Sequence, residues 1–262
     1  MSEPPLHLGF QEDAAAFTSP SQNARAWTEQ WVDAHLFCPN CGAPKLTKYA
    51  NNRPVADFVC EQCREDYELK SQKTRFGAKV MDGAFGTMCE RLSANDNPNL
   101  VLMKYDHARL SVTDLFFVPK YFFTRLIIEE RKPLAATARR AGWVGCNILI
   151  GEVPEAGKIY LVRDREQAPK SLVLEQWQAT LFLKDQAGAA RGWLIEVMKC
   201  VDAVGRERFT LDDVYEQEDR LKGLYPGNNN VRPKIRQQLQ VLRDRGYLEF
   251  VGRGRYRLRR PS

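Results

Sequence analysis

Short apolar runs bounded by turn-forming residues recur through the first two thirds of the chain, and helix-spaced apolar positions fill the last third. Leu100–Tyr105 (LVLMKY), Asp114–Pro119 (DLFFVP) and Lys158–Val162 (KIYLV) are apolar enough to be central strands of a sheet. Val55–Val59 (VADFV) and Glu65–Ser71 (EDYELKS) alternate as two shorter strands. Met1–Pro20 is polar and lacks a period. Ser21 is the expected N-cap of a helix reaching about Leu36, with Ala24, Trp27, Trp31 and Ala34 along its inner face. Lys79–Leu92 has helical spacing through Val80, Ala84, Thr87, Met88 and Arg91, and another helical pattern lies near Leu172–Lys184. Strands flanked by helices in this way pack most economically as an α/β layer, a mixed sheet with helices on its faces.

Asp185–Gly192 (DQAGAARG) is small and polar and reads as a linker. Three helical segments follow: Trp193–Val204, Leu211–Leu224 with Thr210 as N-cap, and Val231–Arg245 closed by Gly246. YLEFV, a Gly-Arg-Gly turn and RYRLR then form a hairpin. Three helices and a β-wing are the order of a winged helix-turn-helix, whose third helix enters the major groove. The expected division is therefore an α/β domain over 1–187 and a winged-helix domain over 188–262.

Charge sharpens this division. From Gly188 onward there are 16 Lys and Arg against 10 Asp and Glu, while the first 187 residues balance, so the whole excess of +6 sits in the last part. That is the footprint of a nucleic-acid-binding module. At 262 residues with 44% apolar composition the chain can build real cores without staples. No run approaches the roughly 18 apolar residues of a membrane span, and the start lacks the pattern of a signal peptide, so a cytoplasmic protein is expected.

Four of the seven cysteines, Cys38, Cys41, Cys60 and Cys63, are spaced C-x2-C-x18-C-x2-C. Two CxxC knuckles offer four thiolates at the corners of a tetrahedron, which suits structural Zn²⁺ and leaves no open position for chemistry. Cys89, Cys146 and Cys200 are expected to be buried free thiols. The same hairpin carries Asp57, ten residues, then Glu68-x-Lys70. Glu68 and Lys70 differ by two and share a strand face, and Asp57 on the neighbouring strand can meet them. Two carboxylates can hold Mg²⁺ against a scissile phosphate, and a lysine beside them can orient water or offset developing charge.

Two further stretches have the chemistry to meet DNA. Arg131–Asn147 (RKPLAATARRAGWVGCN) fits neither period; Lys132, Arg139 and Arg140 could track phosphates while Trp143 offers an apolar face. On the third helix Ile235, Leu239 and Leu242 face inward, leaving Arg232, Lys234, Arg236, Gln237 and Gln240 toward bases. Arg253, Arg255 and Arg257 on the wing suit phosphates.

With these motifs placed, the chain resembles the DpnI family of methyl-directed (type IIM) restriction endonucleases. The resemblance is carried by NNRPVADF, CREDYELKS, RKPLAATARRAGWVGCNI and KIRQQLQVLRDRGYLEFVGRGRY, and spans nearly the whole chain. It implies a PD-(D/E)xK nuclease core with structural zinc and a winged-helix domain. Such an enzyme cuts both strands of duplex DNA at GATC when the adenine carries an N6-methyl group. Asp57 and Glu68 become Mg²⁺ ligands, Lys70 the motif lysine, and the methyl contact of the catalytic domain falls near Trp143. Pro54 stands three residues before Asp57 rather than beside it. Burying one methyl is worth about 0.8 kcal/mol, so strong selection needs two methyls, two reading domains or a penalty against the bare site.

Two rivals explain part of the pattern. A zinc-supported winged-helix regulator without catalysis accounts for the cysteines and the basic end but leaves Asp57, Glu68 and Lys70 as accidents. A nuclease for branched or damaged DNA shares the active site and differs in what its reader selects. A monomer is expected, because no apolar interface stripe stands out.

Overall fold

The computed structural model describes residues 6–10, 17–50, 56–186 and 188–259. The chain divides into two units, Met1–Gly151 with Gly157–Gln178, and Glu152–Ala156 with Ala179–Ser262. Among the described residues no helix is long and apolar enough to cross a membrane. Pro54 lies outside the described residues.

In the first unit the elements run α1 (Pro20–His35), β1 (Thr47–Lys48), β2 (Phe58–Val59), β3 (Asp66–Gln72), β4 (Val80–Ala84), α2 (Phe85–Ala94), β5 (Asn99–Asp106), β6 (Ser111–Val118), β7 (Ile128–Glu130), β8 (Gly145–Ile148), β9 (Ile159–Arg163), β10 (Glu166–Gln167) and α3 (Lys170–Gln178). One sheet has the order β1-β2-β3-β5-β6-β9-β10, and β4-β8-β7 form a second. The β3–β5 pair is parallel, so the chain must cross over between them, and it builds β4 and α2 on the way.

The expected central strands are where the apolar runs placed them. Leu100, Val101, Leu102 and Met103 of β5 are all buried, as a strand covered on both faces requires. Trp177 of α3 is 1% exposed and meets Tyr67 and Phe117 with ring centroids 6.3 and 6.2 Å apart, which pins that helix to the sheet.

Several expectations need correction. The first helix has Ser19, not Ser21, in its N-cap position, without a side-chain capping bond, and Pro20 at its first position. Asn23 then takes both polar groups of Phe17, accepting from its N–H at 3.0 Å and donating to its carbonyl at 2.8 Å. Its buried face carries Ala24, Thr28, Trp31 and Val32, while Ala34 is exposed. Lys79–Leu92 is not one helix: Val80–Ala84 pair with β8, and the helix starts at Phe85. A free sheet edge captured residues whose spacing alone suited a helix. Cys146 and Cys200 are buried, whereas Cys89 is partly exposed.

The second unit holds α4 (Gly188–Val204), β11 (Arg208–Thr210), α5 (Leu211–Tyr215), α6 (Glu218–Leu224), α7 (Val231–Asp244), β12 (Leu248–Gly252) and β13 (Arg255–Leu258). Its sheet has the order β11-β13-β12, so the wing hairpin gains a third strand that the sequence reading missed. The supposed linker is mostly helix: α4 begins at Gly188, and Arg191 and Gly192 are buried. Gly192 is small because a Cβ there would lie 3.2 Å from Tyr225 Oη, under a Trp193–Tyr225 stack of 4.0 Å. The segment Leu211–Leu224 breaks in two after Tyr215. The second piece sets Arg220 2.6 Å from the buried Glu196 carboxylate, which Lys199 also meets at 3.0 Å.

Thr210 caps α5 as expected, with Asp213 completing a reciprocal capping box. Thr210→Ala is expected to lower unfolding free energy by about 1 kcal/mol, read as a shifted urea midpoint at constant slope. An unchanged midpoint would show that the cap contributes nothing. Gly246 at φ +77 closes α7, where its N–H bonds the Arg243 carbonyl at 2.9 Å.

Candidate active site and DNA-facing segments

The four cysteines meet. Cys38 Sγ lies 3.6 Å from Cys63 Sγ and Cys41 Sγ 3.5 Å from Cys60 Sγ, close to the edge of about 3.8 Å of a tetrahedron with 2.3 Å zinc–sulfur bonds. Among the described residues they are the one group of three or more such side chains with ligand atoms within 4.8 Å of one another. The two knuckles are built alike. Gly42 N–H bonds the Cys38 carbonyl at 2.9 Å and Arg64 N–H the Cys60 carbonyl at 2.8 Å, with φ +78 at Gly42 and +62 at Arg64. Asn40 inside the first knuckle accepts the Trp177 indole N–H at 3.0 Å, and Tyr67 Oη lies 3.2 Å from Cys38 Sγ. Burial pushes the Cys38 thiol well up, so in the absence of a cation it stays neutral. Four soft donors at this spacing fit Zn²⁺.

Beside this hairpin stand the carboxylates. Asp57 N–H bonds the Tyr67 carbonyl at 3.0 Å, and its Oδ2 accepts Leu69 N–H at 2.8 Å, so the carboxylate takes over where β2 stops pairing with β3. Oδ1 faces Arg25 at 3.4 Å. Lys70 Nζ bridges Glu68 Oε1 at 2.6 Å and Asp82 Oδ1 at 2.7 Å. Glu29 of α1, 5% exposed, is paired with Arg25 and with Lys48 at 2.7 Å. Burial pushes the Asp57 carboxyl up and Glu29 adds to this, while Leu69 N–H, Arg25 and Lys70 pull it back. Glu68 is pushed up to about 7 by burial first, with Asp82 and Asp57 adding and Lys70 opposing. Lys70 is held above its usual range because Glu68 and Asp82 outweigh its burial. Hard oxygen donors with negative charge in excess fit a divalent cation such as Mg²⁺.

Family comparison then decides the lineage. The model of the Dam-replacing family, DpnI, matches residues 6–186, and that of its Dam-replacing HTH domain, DpnI_C, matches residues 189–258. The chain belongs to the DpnI family. This DpnI-family protein therefore combines a mixed α/β domain carrying a four-cysteine cluster with a DNA-binding helix-turn-helix domain, and its function is of the methyl-directed restriction type.

The DpnI-family winged helix presents part of what its sequence suggested. On α7, Arg236, Gln237 and Gln240 are exposed, and Lys234 donates to Gln237 at 2.8 Å. Arg232 is engaged at home: it bonds Glu218 at 2.6 Å and lies 4.8 Å from the Tyr215 ring centroid. On the wing Arg253 and Arg255 are exposed, whereas Arg257 is paired with Glu249. In the other unit Lys132, Arg139 and Arg140 are exposed, the two arginines on a tight turn, and the Arg140 guanidinium sits 4.8 Å from the half-buried Trp143 ring.

Asp82 and Glu29 escaped the sequence reading. Neither belongs to a spaced motif; Asp82 lies in a stretch read as helix, and only tertiary pairing brings it to Lys70. The raised Glu68 has a measurable sign. A carboxyl raised from 4.5 to about 7 favours the fold while protonated, and this contribution is lost as pH rises through that interval. In metal-free protein, Glu68→Gln is expected to gain stability over wild type between about pH 4.5 and 7, and to hold that gain above, in parallel thermal melts. A constant difference would show that Glu68 titrates normally.

Proposed function

We propose that this protein is a type IIM restriction endonuclease. It hydrolyses both strands of duplex DNA at GATC bearing N6-methyladenine. The observation that supports this is that Asp57 accepts the N–H of Leu69, the residue between Glu68 and Lys70, which themselves pair at 2.6 Å, beside the four-cysteine cluster in a chain of the DpnI family. Asp57 and Glu68 would hold Mg²⁺, which supplies charge stabilisation at the phosphorus and lowers the pKa of water. Lys70, kept protonated by Glu68 and Asp82, offsets charge developing on the phosphate. Cys38, Cys41, Cys60 and Cys63 would hold structural Zn²⁺ and keep Asp57 in place at the start of β2.

Labour divides between 1–187 and 188–262. In the first part Lys132, Arg139 and Arg140 track phosphates and Trp143 offers the apolar face for the methyl group. In the second, Arg236, Gln237 and Gln240 lie where α7 meets bases, Lys234 stands beside them, and Arg253 and Arg255 meet phosphates. Arg232 would have to leave Glu218 to read a base, so its share is smaller. A monomer in the cytoplasm suits the reaction. The test is digestion of one plasmid, with and without adenine methylation at GATC, with Mg²⁺ and with EDTA. Discrete fragments only from methylated DNA with Mg²⁺ are expected; cutting of both plasmids would discard the methyl reader, and binding without cutting would favour the regulator.

A further inference from the structure

We propose that Asp82 is the positioning residue for Lys70 and that, through it, the strand leaving the basic Trp143 segment sets that lysine in the catalytic centre. This rests on the nuclease reading above. Lys70 Nζ is shared between Glu68 at 2.6 Å and Asp82 at 2.7 Å, and the Asp82 side chain is only 8% exposed. A divalent cation held by Asp57 and Glu68 would compete with the ammonium for the Glu68 oxygens and repel it. Asp82, outside the Asp57–Glu68 pair, is then the carboxylate that keeps Lys70 in place.

Asp82 reaches Lys70 from the second sheet, and its backbone is tied to the segment proposed to meet DNA. It lies opposite Cys146 in β8, and the register slips at the next step, so that Ala84 opposes Gly145. A bulge of this kind re-aims the side chain beside it. Phe85 N–H continues the link to the Val144 carbonyl at 3.1 Å. Trp143 rests on the start of the same strand: a Cβ at Gly145 would lie 2.8 Å from the indole ring. Arg131 N–H bonds the Gly145 carbonyl at 3.0 Å, closing the segment over that point. Movement of the indole is thus felt at Gly145, one residue from the partner of Asp82, and packed structure with so little slack passes it on.

The test is a double-mutant cycle on full-length protein: wild type, Asp82→Asn, Trp143→Ala and the double variant. Single-turnover cleavage of a methylated GATC duplex is measured at saturating enzyme with Mg²⁺, and duplex affinity without it. Asp82→Asn keeps shape and is expected to slow cleavage about 10- to 100-fold with affinity within about twofold. Trp143→Ala should slow the wild type but cost little more in the Asp82→Asn background. Losses that multiply would overturn the link, and a full-rate Asp82→Asn would overturn the positioning role. A second readout does not need cutting: the ¹³Cε resonance of Lys70, assigned with Lys70→Arg. Methylated duplex should move it in wild type and not in Asp82→Asn; equal movement in both overturns the proposal. Wild type that binds but never cuts would sink the nuclease reading, while the lysine resonance still decides the coupling.

Discussion

Asp57→Asn is expected to abolish cleavage of methylated duplex, by about 10³-fold or more, while leaving the fold and duplex binding intact. The loss corresponds to about 4 kcal/mol of transition-state stabilisation at 1.36 kcal/mol per tenfold. The substitution is chosen because an amide oxygen can still accept the Leu69 N–H that Oδ2 accepts at 2.8 Å, so the β3 edge stays satisfied. What disappears is the charge that would hold the cation. Asp57 is also pushed up by burial, so removing its charge should not cost the metal-free protein stability near neutral pH. Cleavage within tenfold of wild type would remove Asp57 from the chemistry; loss of binding together with cutting would make its role structural.

Stripping zinc is expected to have the other large effect. The purified protein should release one Zn²⁺ as four thiols react, and a strong chelator or Cys60→Ser should lower the melting midpoint by more than about 10 °C. The reason is the poverty of the hairpin without metal. β1 and β2 pair over two residues each, and two-residue strands do not hold a register alone. Zinc binding in small fingers is worth about 10–16 kcal/mol, and a few kcal/mol of that suffices for the shift in a domain of this size. Since Phe58 and Val59 of β2 follow directly on Asp57, the same treatment should end cutting even when Mg²⁺ is restored. A metal-free isolate with an unchanged midpoint would show that the cysteines are ordinary buried thiols.

Sequence alone determined the parts whose signal is local. The cysteine spacing, the Asp57…Glu68-x-Lys70 order, the apolar runs of β5, β6 and β9, the Thr210 cap and the Gly246 stop each depend on neighbours a few residues away. Local geometry and burial leave them little choice. The family resemblance drew on these same stretches. Other features depended on partners distant in the chain. Val80–Ala84 became a strand because β8 offered an edge, and Gly188–Gly192 joined α4, where Gly192 leaves room for Tyr225. That Arg232 pairs with Glu218 was likewise decided by packing. Above all, Asp82 acquired its place on Lys70 only when a parallel crossover folded a second sheet against the first. Periodicity reports which face of an element is apolar; which charge meets which across two elements is settled by packing, and the second partner of Lys70 is a matter of the latter kind.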